Sequence, residues 1–189
     1  MWTSCAVCAR PGPLLCRRCN QDLRPDDPGA PGDGTIAAFA YSGAARDLIL
    51  GLKLRHRRRC AEPLAYGMRD RVMVTGLVGD VVTWVPGRKA DIRMRGFDHA
   101  EVLARSAARR LGLPCAALLR RLRDSADQSG LDRLTRAANV RGAFAAVPVD
   151  AAVVLVDDLI TTGATAAACS GALLASGAPG VEVLAAARA

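Results

Sequence analysis

The spacing of apolar residues changes several times along this chain. VVLV at 153–156 and VVTWVP at 81–86 are unbroken apolar, β-branched runs, the pattern of strands buried on both faces. TIAAFAYSG (35–43) predicts a strand running into a turn, and VEVLAAA (181–187) a closing strand. Elsewhere the period lengthens. Leu48, Ile49 and Leu52 in AARDLILGLKLR (44–55) share one helical face, and residues 60–73 predict a second helix. HAEVLARSAARRLG (99–112) predicts a helix stopped by glycine, and ATAAACSGALLASG (164–177) a helix of small residues. AALLRRL (116–122) predicts a short strand, SADQSG (125–130) a loop and LDRLTRAANV (131–140) a short helix, while GRKADIRMRGF (87–97) reads as a basic loop. Strands alternating with helices predict an α/β fold with a parallel sheet covered on both faces. RPDDPGAPGDG (24–34), rich in Pro and Gly, interrupts this pattern. The expected organisation is therefore a small module at 1–24, a linker at 25–34 and a main domain at 35–189.

Charge narrows the partners. The 189 residues carry 26 Lys+Arg against 18 Asp+Glu, a formal charge of +8, which favours anionic partners: phosphorylated metabolites or nucleic acid. Aromatic residues make up only 4%, too few for recognition built mainly on aromatic stacking platforms. The beginning, MWTSCAVCARPGP, lacks the charged-then-apolar pattern of a signal peptide. Residues 159–181 are uncharged, but they are mostly Ala, Gly, Ser and Thr and are broken by GAPG. The expectation is a cytoplasmic protein without membrane insertion.

Four of the seven cysteines stand close together as Cys5-x2-Cys8-x7-Cys16-x2-Cys19. Two CxxC turns bring four thiolates around one tetrahedral Zn²⁺, a closed structural site whose metal supplies the folding energy of a short segment. Disulfides or a redox CxxC are the alternatives, and the missing export signal and the doubled motif favour metal. Cys60, Cys115 and Cys169 read as small core residues.

The chemistry concentrates in VVLVDDLITTGAT (153–165). A buried strand delivers Asp157 and Asp158 to its carboxyl end, where ligands bind in open α/β sheets. Thr161, Thr162, Gly163, Ala164 and Thr165 then open a helix, whose N–H groups and dipole attract an anion. Two acids beside a phosphate cradle match a ribose 5-phosphate. A Walker B strand would need a GxxxxGK[ST] partner, and neither Lys53 nor Lys89 stands in one. A receiver domain would need more chain after its acids, and an ordinary strand and turn with solvated acids remains the plainest alternative.

This segment resembles the fingerprint of type I phosphoribosyltransferases. More narrowly, the chain resembles the ComF family of competence-associated, phosphoribosyltransferase-like proteins. The four-cysteine module, YSGAARDLILGLKLR (41–55), RGFDHAEVLA (95–104), Gln128, the run from Arg136 through Asn139 to GAF (142–144), and VVLVDDLITTGAT carry that likeness along nearly the whole chain. Asp98 and His99 stand where the family usually has Asn and Gln, and GRK (87–89) also departs from it. The resemblance implies a type I phosphoribosyltransferase fold that binds phosphoribosyl pyrophosphate with Mg²⁺. Asp157 and Asp158 would hold the ribose hydroxyls, directly or through Mg²⁺, and residues 161–165 the 5-phosphate. Pro86, Gly87 and Arg88 would meet the pyrophosphate, with Lys89, Arg93, Arg95 and Gly96 in a mobile hood. Transfer of the phosphoribosyl group to a nucleophile that the residues do not identify, a glycosyltransferase reaction, is the enzymatic reading. The alternative is a non-catalytic zinc-containing protein that handles single-stranded DNA, because ComF proteins are linked to DNA uptake. Its implied partners are single-stranded DNA and the competence machinery. RHRRR (55–59) reads as a solvated cationic face, with a nucleic-acid patch as its alternative. His99 reads as incidental.

Overall fold

Strands that run parallel need long crossovers, and this chain supplies them as helices. The computed structural model describes residues 4–27, 35–122 and 142–189. In chain order these form α1 (Arg17–Gln21), β1 (Thr35–Ala40), α2 (Gly43–Lys53), a 3-10 turn (Arg58–Cys60), α3 (Ala61–Thr75), β2 (Val81–Trp84) and α4 (Lys89–Arg95). They continue as α5 (His99–Leu111), β3 (Leu119–Arg121), β4 (Phe144–Ala146), β5 (Val153–Ile160), α6 (Ala164–Ala175) and β6 (Val181–Arg188). The expected loop 125–130 and short helix 131–140, with Gln128 and Arg136–Asn139, lie outside the described residues, as do residues 28–34 of the expected linker.

The main sheet has the order β1-β6-β5-β2 with every pair parallel, so the expected α/β class and parallel sheet are present. Successive side chains of β5 alternate between two cores. Val154 and Val156 pack with Leu48, Leu64 and Leu103, which come from α2, α3 and α5. Val153 and Leu155 pack with Cys169 and Leu173 of α6 and with Leu119 and Phe144. These last two come from a small antiparallel ribbon of β3 and β4. Cys60 and Cys169 are fully buried, as small core residues should be.

Two expectations need correction. Residues 87–97 are not a loop throughout: Lys89–Arg95 is helical and ends at Gly96, whose φ of 75° is the left-handed conformation glycine adopts freely. Strand β5 does not stop at Val156 but runs to Ile160, with Asp157 opposite Ala185 and Leu159 opposite Ala187 of β6. Asp157 and Asp158 are therefore strand residues. They still reach the sheet's carboxyl edge, because β2 pairs with β5 only as far as Trp84 opposite Val156.

The N-terminal segment packs against the sheet domain. Ala6 belongs to the larger core, with Val7, Leu14 and Leu23 against it. Asp26 N–H donates to the Ala38 carbonyl at 3.1 Å, and Arg188 Nε donates to the Asp26 carboxylate at 3.1 Å. Among the described residues no helix is long and apolar enough to cross a membrane.

Leu103 is fully buried on α5, facing the sheet and α3. Leu103→Ala is expected to cost about 2–5 kcal/mol of stability. Denaturant midpoints check this, and an unchanged midpoint would mean that α5 is not part of the core.

Candidate functional site

Adjacent residues of a strand face opposite ways, so Asp157 and Asp158 enter different environments. Asp158 points to the side of α2 and α5. It is only 3% exposed. Lys53, the last residue of α2, brings Nζ to 3.1 Å from its Oδ2, and His99, the first residue of α5, brings Nε2 to 3.0 Å from the same oxygen. Arg95 Nη1 lies 2.6 Å from His99 Nδ1. A guanidinium can only donate, so Nδ1 accepts and the ring proton sits on Nε2, the nitrogen that faces Asp158. Asp98 fixes this helix start. Its side chain caps α5 by accepting from Ala100 N–H at 3.0 Å and also accepts from Gly87 N–H at 2.9 Å. Burial works to raise the Asp158 pKa, but the His99 hydrogen bond and the Lys53 charge outweigh it and hold the carboxyl at about 2.

Asp157 faces the α6 side. Its Oδ1 accepts from Asp158 N–H at 2.8 Å, and it lines a cavity of about 40 Å³ with Leu159, Ile160, Thr161, Gly163, Ala164 and Thr165. Thr162 is half-buried and not among the lining residues. Gly163 caps α6 with φ 71°, a left-handed turn that swings the chain from β5 into the helix. Burial, with the Asp158 charge beside it, pushes Asp157 up to about 8. Two neighbouring carboxyls are thus driven apart by their surroundings.

The residues after β2 separate into two groups. Arg95 turns inward, with its side chain 7% exposed and bound to His99, so it is committed to the acid cluster. Gly87 lies against Asp98, where an added Cβ would stand 3.1 Å from Oδ1. The Pro86 carbonyl accepts from Arg121 Nε at 3.1 Å. Arg88 precedes the first turn of α4, while Lys89 and Arg93 on that helix are exposed. Lys53 and His99 were not expected at this site. Their scarcity is the signal that could have found them: the chain has two histidines, and Lys53 and Lys89 are its only lysines.

At the other end of the protein the Sγ atoms of Cys5, Cys8, Cys16 and Cys19 all lie within 4.8 Å of one another. Cys8 and Cys16 are 3.8 Å apart at sulfur, and all four thiols are free of disulfides. A tetrahedron with Zn–S bonds of about 2.3 Å has S···S edges of about 3.8 Å, so the donor set and its spacing fit a structural zinc. Burial opposes ionisation of Cys5, but backbone hydrogen bonds outweigh it and lower the thiol to about 6.

Known proteins match this chain along nearly its whole length. The chain is 30% identical over 209 residues to the DNA utilization protein YhgH of Salmonella typhi, covering 96% of this chain and 88% of the relative. It is 30% identical over 192 residues to the DNA utilization protein YhgH of Escherichia coli strain K12, with 96% and 82% covered. The chain belongs to the YhgH family. No protein-family model matches it. Among solved structures, the glutamine phosphoribosylpyrophosphate (PRPP) amidotransferase from B. subtilis complexed with ADP and GMP has 23% identity and a TM-score of 0.48, over 69% of this chain and 27% of its own. A structure titled as the allosteric regulatory enzyme of purine biosynthesis has 23% identity and a TM-score of 0.47, over 67% and 26%.

Two outcomes are expected of this YhgH-family chain. Purified protein should hold about one zinc, and Cys16→Ser should lower both zinc content and melting temperature. Metal-free protein that melts like the zinc-loaded form would sink the structural-zinc reading. The second outcome follows from the carboxyl pair. Asp158 sits below its unfolded value, so its stabilisation is present above about pH 4 and is lost as pH falls toward 2. Asp157 is raised, so folding favours its protonated form and stability declines as pH rises from about 4 toward 8. In magnesium-free buffer Asp157→Asn should therefore melt a few degrees above wild type at about pH 8 and alike at about pH 4. Parallel pH profiles for the two proteins would contradict this.

Proposed function

We propose that the chain is a ComF-like protein of the phosphoribosyltransferase class that binds phosphoribosyl pyrophosphate, or another ribose-phosphate ligand, at the carboxyl edge of β5. The observation that carries this reading is the shared cavity, in which the left-handed Gly163 turn opens α6 directly beside Asp157. Its small volume suits a phosphate group, which the first N–H groups of α6 and the hydroxyls of Thr161 and Thr165 would hold. Asp157 would accept from the ribose hydroxyls. Asp158, already holding Lys53 and His99, would act by fixing the edge rather than by meeting the ligand. Arg88, Lys89 and Arg93 would lie over the pyrophosphate and offset its charge. In this reading residues 1–24 are a zinc-held module on a binding domain formed by 35–189.

Mg²⁺ suits the oxygen donors of Asp157 and of a diphosphate, whereas Asp158 is taken by Lys53 and His99 of the chain itself. Bound there, it would neutralise the diphosphate and ease its departure. Transfer would break the bond between the anomeric carbon and the pyrophosphate oxygen, form one to the incoming nucleophile, and send the electron pair away with pyrophosphate. A second reading, DNA handling without turnover, draws on the relatives' name and on a cluster of arginines at 55–58 that has no acidic partner among the described residues.

Thermal melting with phosphoribosyl pyrophosphate and Mg²⁺ tests the binding. A ligand at a hundredfold excess over its Kd stabilises by about 2.7 kcal/mol, so a rise of several degrees is expected. Asp157→Asn and Gly163→Ala should both fold and lose most of that rise. Wild-type protein with no rise at saturating ligand, or variants that keep all of it, would count against the site. A rise without pyrophosphate release, across a panel of amines and bases, would favour the binder without turnover.

A further inference from the structure

The turn after α2 holds charge that no described acidic residue offsets. Among the described residues Arg55, Arg57 and Arg58 have no acidic partner. Arg59 differs, because it is structural: its Nη1 donates to Ser4 Oγ at 2.9 Å and its Nη2 to the Cys5 carbonyl at 3.4 Å. His56 has φ 56°, a left-handed conformation uncommon for a residue with a side chain. His56 to Arg59 line an open cavity of about 490 Å³. Phe97 meets this turn from the far end of the segment after α4. The Arg58 guanidinium carbon lies 4.5 Å from the Phe97 ring centroid, and the His56 ring approaches the same ring edge-on at 6.4 Å. Phe97 is half-buried and Arg58 exposed, so the ring backs the guanidinium on one side and leaves its other face open.

We propose that this cluster docks a single-stranded nucleic acid, with phosphates on Arg55 and Arg57 and an unpaired base stacked on the open face of Arg58. Uncompensated arginines alone would suit any polyanion. The ring-backed guanidinium adds a flat stacking surface, which bases use and a bare polyphosphate cannot. A base inside a duplex has both faces covered, so the strand must be single. The cluster also adjoins the candidate site: His56 follows Lys53 by three residues and Phe97 precedes His99 by two, and Lys53 and His99 both hold Asp158. This inference rests on the DNA-handling reading above and names its surface.

Fluorescence anisotropy with a labelled oligothymidine, across a salt series, tests it on the full chain. Arg55→Gln/Arg57→Gln should weaken binding at least tenfold and flatten the logarithmic salt slope by about 1.4, from about 0.7 per lost phosphate contact. Phe97→Leu should weaken binding about tenfold while leaving that slope unchanged, since it removes stacking support and not charge. Zinc content and the melting rise with phosphoribosyl pyrophosphate, measured on the arginine variant, should match wild type. Wild-type protein that does not bind the strand, variants that bind it as wild type does, or equal binding to a duplex of the same length would overturn the proposal. Loss of the phosphoribosyl pyrophosphate rise in wild type with the strand binding intact would instead sink the ribose-phosphate reading alone.

Discussion

One buried carboxylate organises the carboxyl edge of the sheet. Asp158 has almost no water around it, and a charge in that position persists only when cations and hydrogen bonds replace the lost hydration. Lys53 and His99 supply them, from two helices on the same face of the sheet. His99 is in turn held by Arg95, which ties α4 to the cluster, and Asp98 joins the start of α5 to the turn after β2. Removing the carboxylate would leave the Lys53 ammonium and the His99 Nε2–H without their shared partner over an apolar core, so the arrangement of α2, α4 and α5 at this edge depends on it. The same engagement keeps Asp158 from serving a ligand freely. Asp157, one residue earlier and on the opposite face, is left as the acid that opens to the cavity at α6.

Local patterns were legible in the sequence, and long-range pairings were not. The four cysteines could be read because metal spacing is a short-range property, and their sulfurs do converge. Strand β5 could be read from its apolar run, but its last four residues could not, because two acids interrupt the pattern while the ladder to β6 continues beneath them. Helix α4 was hidden for a related reason. None of its residues is buried, so it has no apolar face to give it a period, and its cations and the following Gly96 look like loop residues. Lys53 sits 105 residues from its partner Asp158, a separation that no spacing rule spans. His99 looked incidental because a helix start shows nothing of the strand that will lie beside it.

The short stretch from Lys53 to Arg59 joins the features that otherwise lie apart. At one end Lys53 is drawn into the acid cluster, and at the other Arg59 reaches the backbone at Ser4 and Cys5 and so grips the four-cysteine segment. That segment is too short to build a core of its own, so it leans on contacts such as Ala6 and Leu23 against the main core, and its four clustered cysteines fit a structural zinc. With both ends of the stretch fixed, the residues between have little freedom. His56 takes up left-handed backbone between them, with an arginine on either side. Like charges crowded in this way repel one another and weaken the folded state. The fold tolerates that because Phe97 lends one of them a π face and water screens the rest. Backbone strain and unshared charge therefore coincide in one turn, held between the acid cluster and the cysteine segment, and a polyanion arriving there would relieve the repulsion without disturbing either anchor.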